Sequence, residues 1–348
     1  MKSVICHVRV GGMTMHTRTL GTTGPGVFAL GLGCMGMSGM YGEADRAASV
    51  ATIHAALEAG VTLLDTGDFY GMGHNELLIN EALRTAPAAL RENALVSVKF
   101  GALRGPGGDW YGFDGRPAAV KTFAAYSLQR LGVDHIDVYR PARLDPDVPI
   151  EETVGAIAEL VEEGYVRHIG LSEVGADTIR RAAATAPIAD LQIEYALISR
   201  GPEREILPTL RELGIAVTAY GVLSRGLISG HVTPGQEYAA ADFRAHSPRF
   251  QGENLRHNLT LVESLRKIAE QKGVSVAQIA IAWVLSRGED IVPLVGARTR
   301  ERLGEALGAL DVTLDAADLA TVEAAVPADA AAGERYAPTQ MAMLDSER

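Results

Sequence analysis

The sequence predicts a (β/α)8 barrel, the TIM barrel, in which eight parallel strands form a ring and each strand is followed by a helix. Eight short apolar runs rich in Val, Ile and Leu recur between residues 28 and 296, and segments with helical periodicity separate them. Continuously apolar strands are typical of a parallel sheet covered by helices on both faces. A doubly wound open sheet is the alternative, but it more often has about five to seven strands.

The predicted strands end in glycine or polar residues, which favours tight turns and loops after each of them. In chain order they are residues 28–33, 61–65, 94–99, 135–139, 166–172, 190–195, 215–220 and 290–296. The clearest predicted helix is 149–164, because its apolar residues share one face, acids fill its first turn and Gly164 suits a C-terminal cap. A second helix, 275–288, has Ser275 as its predicted N-cap.

The two ends of the chain are predicted to lie outside the barrel. Before the first barrel strand, "HTRTLGTTGPGVFAL" predicts a small hairpin with "TTGPG" as its turn. We expect residues 1–16 to be a disordered N-terminal extension, 17–327 to form the barrel and its long βα loops, and 328–348 to be a C-terminal tail. The tail either closes a pocket or is disordered.

Composition and charge exclude several functional classes. The net charge is −11 and there is no run rich in Lys and Arg, so binding to nucleic acid or to anionic membranes is not expected. The two cysteines, Cys6 and Cys34, lack metal-ligand spacing and are interpreted as free thiols in a reducing compartment. Without a signal peptide or a membrane-spanning segment, the sequence predicts a cytoplasmic protein with no metal site. Oligomeric state leaves no readable pattern.

A glycine motif at the end of the first predicted strand needs a separate interpretation. Gly31, Gly33 and Gly36 match the G-x-G-x-x-G pattern of Rossmann dinucleotide folds. In those folds the glycines lead directly into a helix that meets the pyrophosphate. Here "MSGMYGEAD" intervenes and the helical pattern begins only near Asp45. We therefore interpret the glycines as a tight turn at the rim of a barrel.

Polar residues that end neighbouring strands suggest a proton donor. Asp65 ends the second strand, Tyr70 lies just beyond it, and Lys99 ends the third strand. A lysine at the end of a buried strand needs a carboxylate partner, which Asp65 can provide. An ammonium near a phenol favours phenolate, so the pKa of Tyr70 is expected below its usual value of about 10. Taken singly, each residue could instead serve as a loop cap, a surface charge or packing.

Three arginines near the start of the last barrel helix suggest an anion site. Arg298, Arg300 and Arg302 stand where cations oppose the helix dipole, which makes sense if a phosphate binds between them. The alternative is that Glu301 and Glu305 simply pair with these arginines.

At these residues the chain resembles the aldo-keto reductases, which are NADPH-dependent (β/α)8 oxidoreductases, from about Thr17 to about Val326. The resemblance rests on "LGLGCMGMS", "LLDTGDFYG", "VPIEETVGAIAELVEEGYVRHIGLSE", "ILPTLRELGIAVTAYGVLSRGLISG" and "IVPLVG" as a set. It implies that Tyr70 protonates the carbonyl oxygen of a small-molecule substrate, with Lys99 and Asp65 lowering its pKa. Hydride would come from the nicotinamide.

The resemblance also implies NADPH extended across the barrel mouth. Tyr220 matches the residue that stacks on the nicotinamide, while Ser172 and Gln192 match those that hold its carboxamide. Leu223 to Gly226 matches the pyrophosphate loop, Arg298 and Arg300 would reach the 2′-phosphate, and Glu305 would face the adenine. The full set of implied cofactor residues is Gly33, Met35, Ser172, Gln192, Tyr220, Leu223, Arg225, Gly226, Gly296, Arg298, Arg300 and Glu305.

One departure from the family pattern concerns the substrate. The family usually has a histidine after the fourth strand that hydrogen-bonds the substrate carbonyl, whereas this chain has Ala142 in "RPARLDP". Loss of such a donor typically costs about 10²–10³ in rate. This stretch of sequence resembles the pyridoxal reductase branch of the family, in which the phenolic hydroxyl of the substrate could polarise its own aldehyde. Arg140, a water or Trp110 could also replace the donor.

Two other functions stay open. The protein could be a general carbonyl reductase, or an NADPH-binding, redox-sensing regulatory protein with weak turnover. The Gly-rich loop 101–117 carries Trp110 and Tyr111, which would suit a flat ring substrate or pack on the rim. By position, residues 231–258 are expected to fold over the cofactor as a lid.

Overall fold

The computed structural model describes residues 7–10 and 13–348, and it has the predicted barrel. In chain order, the strands are β1 (His7–Val10), β2 (Met13–Thr19), β3 (Gly26–Phe28), β4 (Gly31–Gly33), β5 (Leu63–Gly67), β6 (Leu95–Phe100), β7 (Ala102–Arg104), β8 (Trp110–Phe113), β9 (Ile136–Pro141), β10 (Val166–Ser172), β11 (Ile188–Glu194), β12 (Ala216–Tyr220) and β13 (Ile291–Gly296).

Eight of these strands close into a ring in the order β4-β5-β6-β9-β10-β11-β12-β13, and each corresponds to one of the predicted apolar runs. The last strand closes the ring because Leu294 pairs with Gly31 and Gly296 with Gly33. All neighbours in the barrel are parallel. Their carboxyl ends therefore meet at one edge, which we call the C-terminal rim.

Helices cover the outside of the barrel. They are α1 (Arg46–Glu58), α2 (His74–Thr85), α3 (Ala88–Glu92), α4 (Pro117–Leu131), α5 (Ile150–Glu162), α6 (Ala176–Thr185), α7 (Ile206–Leu213), α8 (Gly252–Lys272), α9 (Val276–Ser286), α10 (Arg300–Leu307), α11 (Ala316–Ala325) and α12 (Pro338–Met341). The helix predicted over 149–164 is α5, and the predicted N-cap Ser275 accepts a hydrogen bond from the Gln278 backbone N–H at the start of α9. Among the described residues no helix has the length and apolarity to cross a membrane.

The hairpin predicted before the barrel is present and closes the end opposite the C-terminal rim. β2 pairs antiparallel with β3, with Thr17 opposite Phe28. The buried side chains of Leu20 and Val27 pack against Leu63 and other residues near the amino ends of the barrel strands. The hairpin therefore fills the bottom of the barrel with apolar side chains.

Part of the N-terminal extension differs from the expected disorder. β1 pairs antiparallel with β2, with His7 opposite His16 and Val10 opposite Met13. This strand satisfies the otherwise open backbone edge of β2. The expectation for residues 1–6 and 11–12 lies outside the described residues.

Three segments outside the predicted strands and helices have defined structure at the C-terminal rim. The loop 101–117 contains an antiparallel hairpin, β7 and β8. The tail packs on the barrel, since Leu344 is buried and the Ser346 backbone N–H donates to the Glu173 carbonyl at 3.3 Å. Within 231–258, the Phe243 backbone N–H donates to the Met40 carbonyl at 3.1 Å, so this segment spans the rim.

Candidate active site

Asp65 and Lys99 form a buried ion pair at the C-terminal rim, as the strand ends predicted. β5 and β6 are neighbours, and Gly67 is the register partner of Lys99. Lys99 Nζ lies 2.5 Å from Asp65 Oδ2, and both side chains are buried. Asp65 Oδ1 accepts hydrogen bonds from Ser97 Oγ at 3.1 Å and Gln192 Nε2 at 2.8 Å. Three donors therefore stabilise the carboxylate in a site with little water.

Tyr70 follows β5 in a short turn that directs its ring at this ion pair. Its ring centroid lies 5.2 Å from Lys99 Nζ, and 6% of its surface is exposed. The turn requires left-handed backbone at Gly71 and Met72, with φ of 57° and 56°. Gly67 leaves room for the ring, because a Cβ there would lie 3.2 Å from it. The stretch "LLDTGDFYG" therefore places the phenol next to the lysine.

The pKa of Tyr70 contradicts the expectation of a lowered value. Burial raises the pKa of Tyr70 well above its ordinary value, and Asp65 and Tyr41 raise it further, whereas Arg143 lowers it. The predicted effect of Lys99 is weak because its ammonium is paired with Asp65. Burial also lowers the pKa of Lys99. Tyr70 is therefore a protonated phenol, the form that a proton donor requires.

Arg140 was a candidate substrate contact, but the structure places it inside the barrel. Its side chain is fully buried and donates to Asp190 Oδ2 at 2.9 Å, Thr218 Oγ1 at 3.0 Å and Ser97 Oγ at 3.0 Å. These partners lie on three other strands, beneath the Asp65–Lys99 pair. Arg140 therefore joins the strands of the barrel to one another and is not a substrate contact in this arrangement.

Ala142 is buried at the end of β9, and the next residue is one that the sequence analysis did not assign. The Ala142 backbone N–H donates to the Phe100 carbonyl at 2.8 Å. Arg143 Nη1 donates to the Ala142 carbonyl at 2.6 Å, and Arg143 Nη2 lies 3.4 Å from Tyr336 Oη. The sequence signal that could have identified Arg143 as a site residue is its position directly after Ala142, where the family usually has a histidine.

Aromatic side chains lie on one side of Tyr70. Trp110, on β8, contacts Phe69 and Phe113 edge to face, with centroids 6.4 and 5.2 Å apart. Trp110 is 41% exposed and Tyr111 is 64% exposed. Trp110 thus packs on the rim and also keeps a solvent-facing surface.

The predicted glycines of the cofactor set lie together. Gly33 ends β4 and Gly296 ends β13, and the two are register partners. A Cβ on either residue would meet no neighbouring atom closer than 3.7 Å. Met35 begins the short helical turn directly after β4. This part of the rim is open enough for a ligand to approach the backbone.

Ser172 and Gln192 lie at the ends of adjacent strands and are register partners. Ser172 Oγ is buried and has no hydrogen-bond partner among the described residues. Such a hydroxyl can form a hydrogen bond with an amide group of a bound ligand. The amide nitrogen of Gln192 donates one hydrogen bond to Asp65 Oδ1 at 2.8 Å.

Tyr220, the predicted stacking residue, is hydrogen-bonded to the tail. Tyr220 Oη donates to Glu173 Oε1 at 2.6 Å and lies 2.7 Å from Tyr336 Oη. Burial raises the pKa of Tyr220 well above its ordinary value, as does the charge of Glu173. The tail thus reaches the part of the rim where the sequence placed the nicotinamide.

The predicted pyrophosphate loop has strained backbone and a buried arginine. Arg225 and Gly226 have positive φ, 58° and 93°, and the Gly226 N–H donates to the Leu223 carbonyl at 2.9 Å. Arg225 Nη2 donates to Glu194 Oε2 at 3.2 Å, and its guanidinium carbon lies 4.6 Å from the centroid of the Tyr336 ring. Arg225 Nη1 is buried without a hydrogen-bond partner among the described residues. This nitrogen is available to an anion.

Two of the three residues expected at the adenosine end, Arg298 and Glu305, have internal partners of their own. Arg298 Nη1 donates to two backbone carbonyls, those of Tyr41 and Glu43, both at 3.0 Å. Arg300 is exposed as the first residue of α10. Glu305 faces His231 at 3.0 Å and Arg302 at 3.0 Å, so the alternative of Glu305 pairing with an arginine holds for Arg302.

Two buried glutamates at the ends of β10 and β11 were not assigned a role from the sequence. Glu173 Oε2 accepts a hydrogen bond from Arg335 Nη2 at 2.6 Å, and Glu194 Oε1 lies 3.4 Å from Arg249 Nη1. Arg335 comes from a segment 162 positions further along the chain, and no sequence pattern predicts that pairing. Among the residues that the structure describes, no group of three or more potential ligands could hold a metal ion.

Comparison with known proteins agrees with this geometry. The chain matches the family model of the aldo/keto reductase family over residues 29–327. The probable aldo-keto reductase 1 of Glycine max is 42% identical over 318 residues, which is 91% of this chain and 90% of the relative.

Solved structures also share the fold. A glycerol dehydrogenase of Gluconobacter oxydans has a TM-score of 0.80 at 30% identity, covering 89% of this chain and 94% of that one. An aldo-keto reductase of Bacillus halodurans, in its holo form, has a TM-score of 0.73 at 27% identity, covering 90% and 97%. The matched region contains the whole barrel and the Asp65, Lys99 and Tyr70 group. The chain therefore belongs to the aldo/keto reductase family, whose members are oxidoreductases that use nicotinamide cofactors.

Proposed function

We propose that this protein reduces an aldehyde or ketone to the alcohol with NADPH, and that Tyr70 donates the proton to the carbonyl oxygen. The observation that carries the proposal is the buried Asp65–Lys99 pair beside the protonated phenol of Tyr70. When bound, the nicotinamide supplies a hydride to the carbonyl carbon. The chain holds the proton at Tyr70 Oη, and burial of this group excludes water from it.

Unpartnered polar atoms at the rim support a nicotinamide dinucleotide as the cofactor. Ser172 Oγ and Arg225 Nη1 are buried without partners among the described residues. A hydroxyl suits the carboxamide, and a guanidinium suits the pyrophosphate. Gly33 and Gly296 leave the intervening rim open. The residues present therefore fit the group.

The arginines at the start of α10 favour NADPH over NADH. Arg298 immediately precedes the N-cap Thr299, and Arg300 is the first helical residue. Arg300 is exposed, so its guanidinium is accessible to the 2′-phosphate. The backbone N–H groups of the first turn add to the attraction for this anion.

Pyridoxal is the substrate that we propose within the carbonyl compounds. Trp110 provides a partly exposed aromatic face near Phe69, which precedes Tyr70. Such a face suits a flat ring. Ala142 removes the expected donor to the carbonyl, and pyridoxal carries a hydroxyl next to its aldehyde that can polarise it. In its protonated form this hydroxyl supplies the missing donation itself, whereas in its ionised form it leaves the carbonyl oxygen in need of a donor from the protein.

The first test is the oxidation of NADPH, followed by its absorbance, with pyridoxal as substrate. We expect Tyr70→Phe to lower kcat by about 10²-fold or more, because the proton donor is removed while the ring is kept. NADPH binding, measured by fluorescence titration, should be unchanged. Tyr126→Phe is the matched control, since Tyr126 is an exposed tyrosine on α4. Full activity of Tyr70→Phe would contradict the role of Tyr70.

A panel of simple aldehydes distinguishes the remaining functions. Turnover of pyridoxal but not of 3-deoxypyridoxal or benzaldehyde would support a pyridoxal reductase, and similar rates for all would indicate a general carbonyl reductase. Tight NADPH binding without turnover of any aldehyde would favour a redox-sensing regulatory protein. The cytoplasmic location stays a prediction from the sequence.

A further inference from the structure

Ala142 leaves the end of β9 without a side-chain hydrogen-bond donor on the inner face of the barrel. Lys99 and Arg140 are register partners, so their side chains share that face. Ala142 lies two residues beyond Arg140 and continues the hydrogen-bonded ladder through its N–H to the Phe100 carbonyl. Its methyl group therefore points to the same inner face, beside Lys99, and cannot donate a hydrogen bond. A donor to the substrate carbonyl must come from another residue.

Arg143, the next residue in the chain, has a side chain able to donate there. Its Nη1 turns back to the Ala142 carbonyl at 2.6 Å, and its Nη2 lies 3.4 Å from Tyr336 Oη. The guanidinium carbon is 5.9 Å from the centroid of the Tyr336 ring. These contacts hold the cation beside the place where the imidazole is missing. They use few of its five N–H groups, so several can bind a ligand.

The guanidinium of Arg143 forms no direct ion pair with a carboxylate among the described residues. Burial lowers the pKa of Arg143, but the charges of Tyr336, Tyr220 and Glu173 raise it, so Glu173 acts on Arg143 at longer range while it pairs directly with Arg335. Arg225, in contrast, pairs directly with Glu194. A half-buried cation without a direct ion pair is stabilised by a bound anion. Arg143 is therefore available for a negatively charged ligand group.

The charge of Arg143 acts on the catalytic group itself. It lowers the pKa of Tyr70 and also the pKa of Lys99. Lys99 donates one of its three N–H groups to Asp65 Oδ2 at 2.5 Å, and burial disfavours its charged form by lowering its pKa. Hence the guanidinium lies within electrostatic range of the place where a carbonyl oxygen must meet Tyr70.

We propose, on the basis of the carbonyl reduction proposed above, that Arg143 is a catalytic residue that donates to the substrate carbonyl oxygen and selects ortho-hydroxy aromatic aldehydes in their ionised form. A guanidinium is a planar fork that binds two oxygens about 3 Å apart. The carbonyl oxygen and the adjacent phenolate oxygen of such an aldehyde form such a pair. The carbonyl carbon accepts the hydride from NADPH, which is oxidised to NADP+, and the carbonyl oxygen accepts the proton of Tyr70. The phenolate stays paired with Arg143.

Three aldehydes distinguish the proposed role of Arg143 from a general preference for polar substrates. Salicylaldehyde has the required phenolate, 2-methoxybenzaldehyde has a similar size but cannot ionise, and 4-hydroxybenzaldehyde ionises at the wrong position. Values of kcat/KM are measured at a pH at which both phenols are ionised. We expect the wild type to prefer salicylaldehyde over the other two by about tenfold or more, because bidentate charged hydrogen bonds are stronger than single neutral ones.

The variants are Arg143→Ala, Arg143→Lys and the matched control Arg116→Ala. Arg116 is an exposed arginine paired with Asp114. We expect Arg143→Ala to lower kcat/KM for salicylaldehyde by about 10²–10³-fold and to abolish the preference, since a donor to the reacting oxygen is lost. Arg143→Lys should retain part of the rate and little of the preference, because an ammonium lacks the fork. Unchanged NADPH binding by each variant verifies the fold.

The outcomes distinguish the two proposals. A preference for salicylaldehyde that survives in Arg143→Ala would overturn the role of Arg143 and leave carbonyl reduction intact. So would wild-type rates that do not differ among the three aldehydes. Absence of turnover by the wild type with NADPH bound would overturn the proposed function, and this role with it. Recovery of 2-methoxybenzaldehyde reduction, without the preference, in the double variant Ala142→His/Arg143→Ala would support the role.

Discussion

Single ionisable side chains at the C-terminal rim owe their chemistry to burial and to the partner that each finds there. Burial keeps Tyr70 protonated by raising its pKa. Burial also opposes the ionisation of Glu173, but the Arg335 guanidinium at 2.6 Å holds the pKa of that carboxyl well below its usual range. One residue is thus held as a neutral acid and the other as an anion, although both are almost without water.

The lowered pKa of Glu173 predicts a dependence of stability on pH. Because the pKa is lower in the folded state, its contribution is complete above the ordinary glutamate pKa of about 4.3 and is lost as the pH falls below that value. We expect the free energy of unfolding of the wild type to fall more steeply between about pH 5 and pH 2 than that of Glu173→Gln. Urea unfolding at several pH values measures both slopes. Equal slopes would show that Glu173 does not contribute.

At the scale of elements, the N-terminal hairpin and the C-terminal tail cover opposite ends of the barrel. The hairpin buries Leu20 and Val27 at the amino ends of the strands. The tail reaches the C-terminal rim, where Tyr336 meets Tyr220 and Arg335 meets Glu173. The hairpin therefore serves stability, whereas the tail borders the candidate active site.

This division predicts that Leu20→Ala weakens the fold without changing the chemistry. Leu20 is fully buried, so we expect a loss of about 2–5 kcal/mol in the free energy of unfolding from the lost contacts and the cavity left behind. The kcat with an accepted aldehyde should stay within about twofold, because the site lies at the other end of the barrel. Thr22→Ala, at an exposed position in the same hairpin, is the control. A large fall in kcat for Leu20→Ala alone would contradict the separation of roles.

At the scale of the whole molecule, charged and polar groups from several strands meet in the interior of the barrel. Arg140, on β9, pairs with Asp190 on β11 at 2.9 Å, and both side chains are fully buried. Thr218 and Ser97 add hydrogen bonds from β12 and β6. Gly170 leaves space for the pair, because a Cβ there would lie 2.7 Å from Asp190 Oδ1. This network connects distant parts of the ring beneath the catalytic group.

Removal of one partner of this network should be costly. We expect Arg140→Met to lower the free energy of unfolding by about 3–5 kcal/mol, because it leaves the buried Asp190 carboxylate unpaired. The double variant Arg140→Met/Asp190→Leu should recover most of that loss, since apolar residues of similar volume replace an ion pair with little net cost. Denaturant unfolding of the three proteins tests this. A double variant as unstable as the single one would indicate that the pair itself stabilises the barrel.

The sequence by itself determined the strands, their order and the pairing of Asp65 with Lys99. Continuous apolar runs identify buried parallel strands, and the ends of consecutive strands are neighbours at one rim, so local patterns and connectivity were sufficient. The resemblance then supplied the proposed cofactor contacts of Ser172 and of the arginines near α10. The hairpin β7–β8 was missed, and the tail was left open between a folded and a disordered form, because glycine-rich and terminal segments carry little periodicity.

Only the tertiary structure decided which polar and charged side chains pair with one another and which are left to bind a ligand. Gln192 meets Asp65 across 127 positions, and Arg335 meets Glu173 across 162, because the ring brings strand ends together irrespective of their separation in the chain. The inward position of Arg140 and the availability of Arg143 have the same origin. The pKa of Tyr70 was misjudged because it depends on burial, which a list of neighbouring charges does not contain. A sequence names the ionisable groups, but packing determines which of them are paired and which keep water.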